Sequence, residues 1–215
     1  MKKIHLIELV SDFLTGGDST GDMQGRFHEQ IIKKHLEAAF NNLVFQTYME
    51  GKTHSDYSVL DAWARKYTID IDDLDEEEAT GNAKLPYPPM QLPNNMGILQ
   101  VNEAGDLTNT FAYRETNSNS VFAALEVGLI SEKPIFYLEQ NATGDGTATH
   151  LLQLENLPDE ITQVDVKLIV PLEEIDDFDE VMIPAGKEEL LIRDTIELLM
   201  SKPPEDNIND SKPNR

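Results

Sequence analysis

The chain has 215 residues, of which 40 are Asp or Glu and 17 are Lys or Arg, so its formal net charge is −23 at pH 7. This charge argues against a general nucleic-acid-binding protein, because such binding depends on lysine and arginine contacts to phosphates. The sequence has no cysteine, which excludes disulfides, thiol catalysis and cysteine-ligated zinc. Its length is sufficient to bury a sizeable core.

The amino-terminal segment is apolar in part, but it does not read as a targeting signal. His5, Glu8 and Asp12 interrupt it, and no cleavage site of small residues follows. No apolar run in the sequence approaches the ~20 residues that cross a membrane. We therefore expect a protein that is made and kept in a cytoplasm, without membrane contact.

Two amphipathic helices are predicted before residue 51. Apolar residues recur at helical spacing over residues 4–15, and Gly16 and Gly17 follow this segment as a stop. A second and longer helix is predicted from about residue 23 to residue 50, with Asp22 as its cap and Gly51 at its end.

The second helix is apolar on two sides, so both sides need to be covered. One stripe consists of Ile32, Leu36, Ala39, Phe40 and Leu43, and the other consists of Phe27, Ile31, Ala38 and Phe45. The second stripe is expected to pack either on another subunit or on the first helix and a strand layer. The spacing alone leaves both alternatives open.

An acidic segment follows the helices. Residues 57–66 are expected to form a helix or an extended arm, and residues 67–71 alternate as in a strand. Residues 72–78 are predicted to be a solvated acidic loop. Its carboxylates are Asp72, Asp73, Asp75, Glu76, Glu77 and Glu78.

Residues 84–101 separate the helical part of the sequence from the strand-rich part. Prolines occur at positions 86, 88, 89 and 93. Because proline fixes φ and lacks an amide donor, residues 85–93 are predicted to run extended, along an edge or a neighbouring surface. Tyr87, Pro88, Pro89 and Met90 are therefore candidate subunit contacts.

Short strands are predicted after this segment, at residues 98–101, 109–114, 135–138, 150–154 and 163–170. Residues 120–129 are expected to be a short helix or another strand. A last helix is predicted over residues 187–200, followed by a polar tail. The predicted fold class is α+β, with an N-terminal helical pair, an antiparallel β-sandwich or small barrel, and a C-terminal helix.

The expected organisation is a helical part at 1–83, a β-rich part at 84–200 and a tail at 201–215, folding as one cooperative unit. No internal repeat is visible in the sequence.

No motif predicts a catalytic or cofactor site. His28 and Glu29 begin a zinc-protease pattern, but position 32 is Ile, and His28 and His35 lie two helical turns apart. Residues 70–75 depart from a calcium loop, since the position that requires glycine is Asp75. Phosphate-binding and nucleophile-elbow motifs are absent from the sequence. We therefore expect no catalytic residues, no metal and no cofactor, and a protein that is not an enzyme.

The chain resembles virion proteins of tailed phages, in particular the neck and tail ring proteins of crAss-like Bacteroidetes phages. The similarity lies in the N-terminal helical pair and in five further segments, at residues 67–71, 85–98, 166–171, 177–184 and 205–210. The resemblance implies a head-to-tail connector component, assembled as a homo-oligomeric ring of about twelve subunits. Such a ring packs on the portal or on an adjacent ring.

The resemblance also implies roles for the apolar residues and for the acidic segment described above. Phe27, Ile31, Phe45 and residues 87–90 would contact identical subunits. The carboxylates at 72, 73 and 75–78 would line the channel, where negative charge keeps passing DNA from binding. The expected location is the virion neck or tail, after assembly in the host cytoplasm. The alternative is a monomeric or dimeric acidic adaptor, or a DNA mimic.

Overall fold

The computed structural model describes residues 1–16, 29–75, 79–106, 108–114, 133–142, 148–158 and 161–201. In this part of the chain the architecture is α+β, as predicted. Helix α1 spans Lys3–Thr15, α2 spans Glu29–His54, and the C-terminal helix α3 spans Glu188–Met200. A 3-10 helix, Tyr57–Trp63, follows α2 where the sequence allowed a helix or an arm.

The predicted helix ends are correct for α1 and wrong for α2. Gly16 ends α1 in the left-handed conformation, with φ 65°, as the glycine pair predicted. Helix α2, however, continues through Gly51 to His54. A Cβ at position 51 would lie 2.7 Å from the Asp56 carbonyl oxygen, so this glycine allows close packing of the following segment. The predicted start of α2 lies outside the described residues.

Eight strands among the described residues form two sheets. They are β1 (Arg65–Asp70), β2 (Asp72–Asp75), β3 (Thr80–Lys84), β4 (Ile98–Glu103), β5 (Ala112–Tyr113), β6 (Ile135–Ala142), β7 (Ala148–Glu155) and β8 (Gln163–Leu168). The first sheet has the order β1-β8-β4, and the second has the order β2-β3-β7-β6-β5. The paired strands are antiparallel except β5 and β6, which are parallel. No closed barrel forms among these strands.

The two sheets share one apolar core, as the alternation on β8 predicted. Val164, Val166 and Leu168 are fully buried in it, together with Ala83 from β3 and Leu152 from β7. Since successive side chains of a strand point to opposite faces, the remaining positions of β8 face away from this core. This arrangement is the sandwich alternative of the prediction.

A second core joins the three helices. Leu6 and Val10 from α1, Leu36 and Leu43 from α2, and Leu191 from α3 are buried together. All five residues of the first predicted stripe of α2 belong to it. Ile169 and Leu172, which follow β8, are also part of this core. The segment after β8 therefore connects the helical core to the sandwich.

One further prediction is revised by the strand pairing. Residues 72–75 form the exposed edge strand β2 rather than a loop, because they pair with β3. Strands β1 to β3 belong to the sheets, and the 3-10 helix that precedes them ends at Trp63. The expectations for residues 120–129 and 202–215 lie outside the described residues.

Candidate subunit interface

The side of α2 that faces away from the helical core bears an exposed apolar stripe. Ile31, Phe45 and Met49 expose 42%, 46% and 43% of their surface, and Ala38 between them is also exposed. Their spacings of seven, seven and four residues place them in one row along the helix. We call Ile31, Ala38, Phe45 and Met49 the outer stripe of α2.

The outer stripe is flanked by neutral and basic side chains. Lys34, Asn41, Asn42, Gln46 and Lys52 are exposed beside it. The three glutamates of α2 are Glu29, Glu37 and Glu50, and helical spacing places them outside this row. In a chain with a net charge of −23, this helix face is both apolar and free of carboxylates.

One end of the outer stripe borders a surface groove of about 830 Å³. Its apolar lining comes from Phe45 of α2, from Pro88, Pro89, Met90 and Leu92 of the proline segment, and from Pro171. Its polar lining comes from Asn41, Asn42, Gln91, His150, Glu173 and Glu174. Four segments that are distant in the sequence therefore meet at this groove.

The proline wall of the groove is held against the segment that follows β8. The Met90 N–H donates to the Ile169 carbonyl at 2.9 Å, and the Ile169 N–H donates to the Gly97 carbonyl at 2.8 Å. A Cβ at position 97 would lie 2.1 Å from the Met90 carbonyl oxygen. Glycine is therefore required at position 97 for the chain to fold back on Met90.

The acidic wall of the groove is fixed to the helices by two lysines. Buried Lys3 donates from Nζ to the carbonyls of Leu172 and Ile175, at 2.8 and 3.0 Å. Lys33 of α2 donates to Asp177 Oδ2 at 2.6 Å, and this hydrogen bond raises the pKa of Lys33. These contacts hold the short 3-10 helix Leu172–Glu174 beside α2.

The structure brings together four of the seven predicted interface residues, namely Phe45, Pro88, Pro89 and Met90, at one groove. Ile31 lies further along the same stripe. Tyr87 faces elsewhere and packs on Tyr67, with ring centroids 5.8 Å apart. Phe27 lies outside the described residues.

Pro89 and Met90 require a correction. Both are buried within their own chain, Met90 to 6% exposure, because the extended segment packs on the helical core. A single copy of the chain therefore already covers both of these candidate contact residues. They shape the groove wall but offer little surface to a neighbouring subunit.

The predicted acidic cluster is described in part. Asp72, Asp73 and Asp75 are exposed on β2, at the edge of the five-stranded sheet. Glu76, Glu77 and Glu78 lie outside the described residues. Charged side chains on an edge strand also oppose pairing with a strand of another molecule, so these carboxylates have a structural role independent of any channel.

Sequence reasoning missed Met49, the amides of Asn41 and Asn42, and the pair Glu173 and Glu174. Met49 follows Phe45 by four residues, so helical spacing was a sufficient signal for it. Nothing local in the sequence placed Glu173 and Glu174 beside Phe45, because that proximity depends on the fold.

Within the described ranges, no three His, Asp or Glu side chains are arranged to hold a metal ion. None of the described helices combines the length and the apolar character needed to cross a membrane. No protein-family model matches this chain, and no curated protein matches it in sequence.

Proposed function

We propose that this chain is a structural virion protein that assembles with identical copies into a ring of the head-to-tail connector or tail channel. The observation behind the proposal is the outer stripe of α2, a row of exposed apolar side chains without a carboxylate in a strongly acidic chain. The resemblance to tailed-phage ring proteins supports the same assignment. In this role the protein is not an enzyme and binds the portal or an adjacent ring.

The stripe suits contact between copies because it avoids charge repulsion. Two molecules of charge −23 repel each other, and the repulsion is least where the facing surfaces have no carboxylates. Lys34 and Lys52 beside the stripe would also attract an acidic surface of the next subunit. A contact between unlike surfaces of identical subunits is the type that closes into a ring.

The energy of the stripe predicts weak association in isolation. Covering one half-exposed Ile, Phe or Met contributes about 1 kcal/mol, so the three contribute about 3 kcal/mol. Loss of rotational and translational freedom on association costs at least about 4 kcal/mol. The stripe alone therefore does not hold two copies together, and a ring needs further contacts or a template such as the portal.

The exposed carboxylates of β2 would face the channel in such a ring. Asp72, Asp73 and Asp75 are exposed on an edge strand, where their negative charge would repel DNA phosphates. Genome DNA would then pass without specific binding. The whole assembly would reside in the virion neck or tail.

The test is a cryo-electron microscopy reconstruction of particles from the phage that encodes this chain. We expect a ring of identical copies at the neck or tail, with α2 at the contact between subunits and β2 at the channel wall. Absence of the protein from purified particles would refute the virion assignment and favour an acidic adaptor. A ring with β2 outside would refute only the channel role.

A matched pair of substitutions tests the contact itself. Phe45→Glu places a charge in the outer stripe, and we expect it to remove the ring from particles. Phe13→Glu is the control, because Phe13 is an exposed phenylalanine on α1, 66% exposed, outside α2. Rings that form equally well from both variants would show that α2 does not form the contact.

A further inference from the structure

The groove beside α2 differs from the outer stripe in its charge. The acidic groups in its lining are Glu173 and Glu174; His150 also lines it, and no Lys or Arg is among the described residues that do so. Neither glutamate forms an ion pair within the described part of the chain. The groove therefore presents two uncompensated carboxylates next to an apolar surface.

The amide side chains in the groove match the groups of a peptide backbone. Asn41 and Asn42 lie on the α2 side, and Gln91 lies on the proline side. Each primary amide can both donate and accept hydrogen bonds, as a peptide group does. A nucleic acid does not fit, because its phosphates would meet Glu173 and Glu174 in a groove whose described lining contains no Lys or Arg.

The walls are ordered before any partner binds. Pro88, Pro89 and Pro171 have restricted backbones, and the Met90–Ile169 hydrogen bond fixes one wall. Lys3 fixes the other wall through the Leu172 and Ile175 carbonyls. A preformed site loses little conformational entropy on binding, which favours recognition of a short segment.

We propose that this groove binds an extended segment of a different protein, in which apolar side chains flank a lysine or arginine. The apolar side chains would contact Phe45 and Pro88, and the cation would pair with Glu173 and Glu174. A second copy of this chain is the poorer occupant, since it has the same excess of negative charge. This inference does not require that the chain form a ring.

The test is selection of peptides from a randomised twelve-residue library displayed on yeast, using the full chain as the target. We expect selected peptides that combine apolar residues with lysine or arginine. Their affinity should fall at least fivefold on the double change Glu173→Gln and Glu174→Gln. The matched control, Asp72→Asn with Asp73→Asn, removes the same charge from β2 and should leave the affinity within twofold.

Other outcomes would overturn the proposal. The first is a selection that yields no binders, or only acidic ones. The second is an equal loss of affinity in both double variants, because that would indicate attraction to the overall charge. Displacement of the peptides by spermidine, with no dependence on their apolar residues, would assign the groove to small cations. Displacement by unlabelled chain would assign it to a second copy.

The double variant at Glu173 and Glu174 allows the peptide-binding proposal to be tested separately from the ring proposal. Glu173 and Glu174 are not part of the outer stripe, so ring formation in particles can be scored for the same variant. A variant that forms rings but does not bind peptide separates the groove from self-assembly.

Discussion

Asp165 is a buried carboxylate on the face of β8 that points away from the sandwich core, with 6% of its surface exposed. It accepts hydrogen bonds from Thr68 Oγ1 at 2.7 Å and from the Gly105 N–H at 2.9 Å, and Lys66 Nζ lies 2.7 Å away. Burial alone would raise the pKa of Asp165, but the hydrogen bonds from Lys66, Thr68 and Gly105 outweigh burial and lower it. This residue joins β1, β8 and the turn after β4.

Replacing Asp165 with Asn should therefore destabilise the protein in a pH-dependent way. At pH 7 we expect Asp165→Asn to lower the free energy of unfolding by about 2 kcal/mol, since charged hydrogen bonds are lost in a buried site. A carboxyl with a lowered pKa stabilises the fold above its unfolded pKa of about 3.9 and loses this effect as the pH falls. Urea unfolding from pH 7 to pH 3 measures the difference.

The difference in the free energy of unfolding between wild type and Asp165→Asn should thus be constant at neutral pH and become smaller below about pH 4. Asp70→Asn, at an exposed position of β1, is the control and should cost less than about 0.5 kcal/mol. If this difference in unfolding free energy instead increased in acid, the result would contradict a lowered pKa of Asp165.

Among the elements, β2 shows how a short acidic run is misinterpreted from sequence. Four consecutive exposed positions, three of them Asp, give no alternation, so periodicity could not indicate a strand. Pairing with β3 supplies the hydrogen bonds, and the carboxylates remain in solvent. The result is an edge strand with charges that oppose further pairing.

Neutralising β2 should promote aggregation. In the triple variant Asp72→Asn, Asp73→Asn and Asp75→Asn, the exposed Leu74 remains on an uncharged edge. We expect light scattering at 37 °C to rise several-fold faster than in wild type. The control Glu8→Gln, Glu50→Gln and Glu197→Gln changes the net charge equally at exposed helical positions, and equal rates would indicate a general charge effect instead.

Helix α2 shows what helical periodicity can predict. The spacing located both the stripe that is buried and the stripe that is exposed, because both follow from the 3.6-residue repeat. It did not locate the helix end, since Gly51 is a breaker by propensity but here allows the packing of residues 56–59. Tertiary contact overrode the local preference.

For the whole molecule, the charge of −23 makes the two candidate surfaces respond oppositely to salt. Contact between identical acidic chains is opposed by repulsion, which salt screens as the Debye length falls from about 30 Å at 0.01 M to about 8 Å at 0.15 M. Binding of a basic segment at Glu173 and Glu174 is favoured by attraction, which the same screening weakens.

Raising NaCl from 10 to 300 mM should therefore strengthen self-attraction, read as a falling second virial coefficient in static light scattering. The second virial coefficient of the Phe45→Glu variant should fall less than that of wild type, because the variant lacks the apolar side chain of the contact. Identical curves would contradict a role for the outer stripe. Selected basic peptides should bind more weakly over the same range, and salt-independent binding would contradict the assigned ion pairs.

The sequence by itself determined the elements whose pattern is local. Helical spacing predicted α1, the body of α2 and α3, and strand alternation predicted β8 with its buried face. The negative net charge and the absence of cysteine also follow directly from the amino-acid composition. These properties depend on residues close together in the chain.

Only the tertiary structure decided the groove and the burial of Met90. Phe45, Pro88 and Glu173 are more than 40 residues apart in sequence, and they meet because Ile169 holds the proline segment while Lys3 and Lys33 hold the acidic one. A periodic pattern contains no information about which distant segments come into contact. That choice follows from the packing of two cores through the segment after β8, which belongs to both.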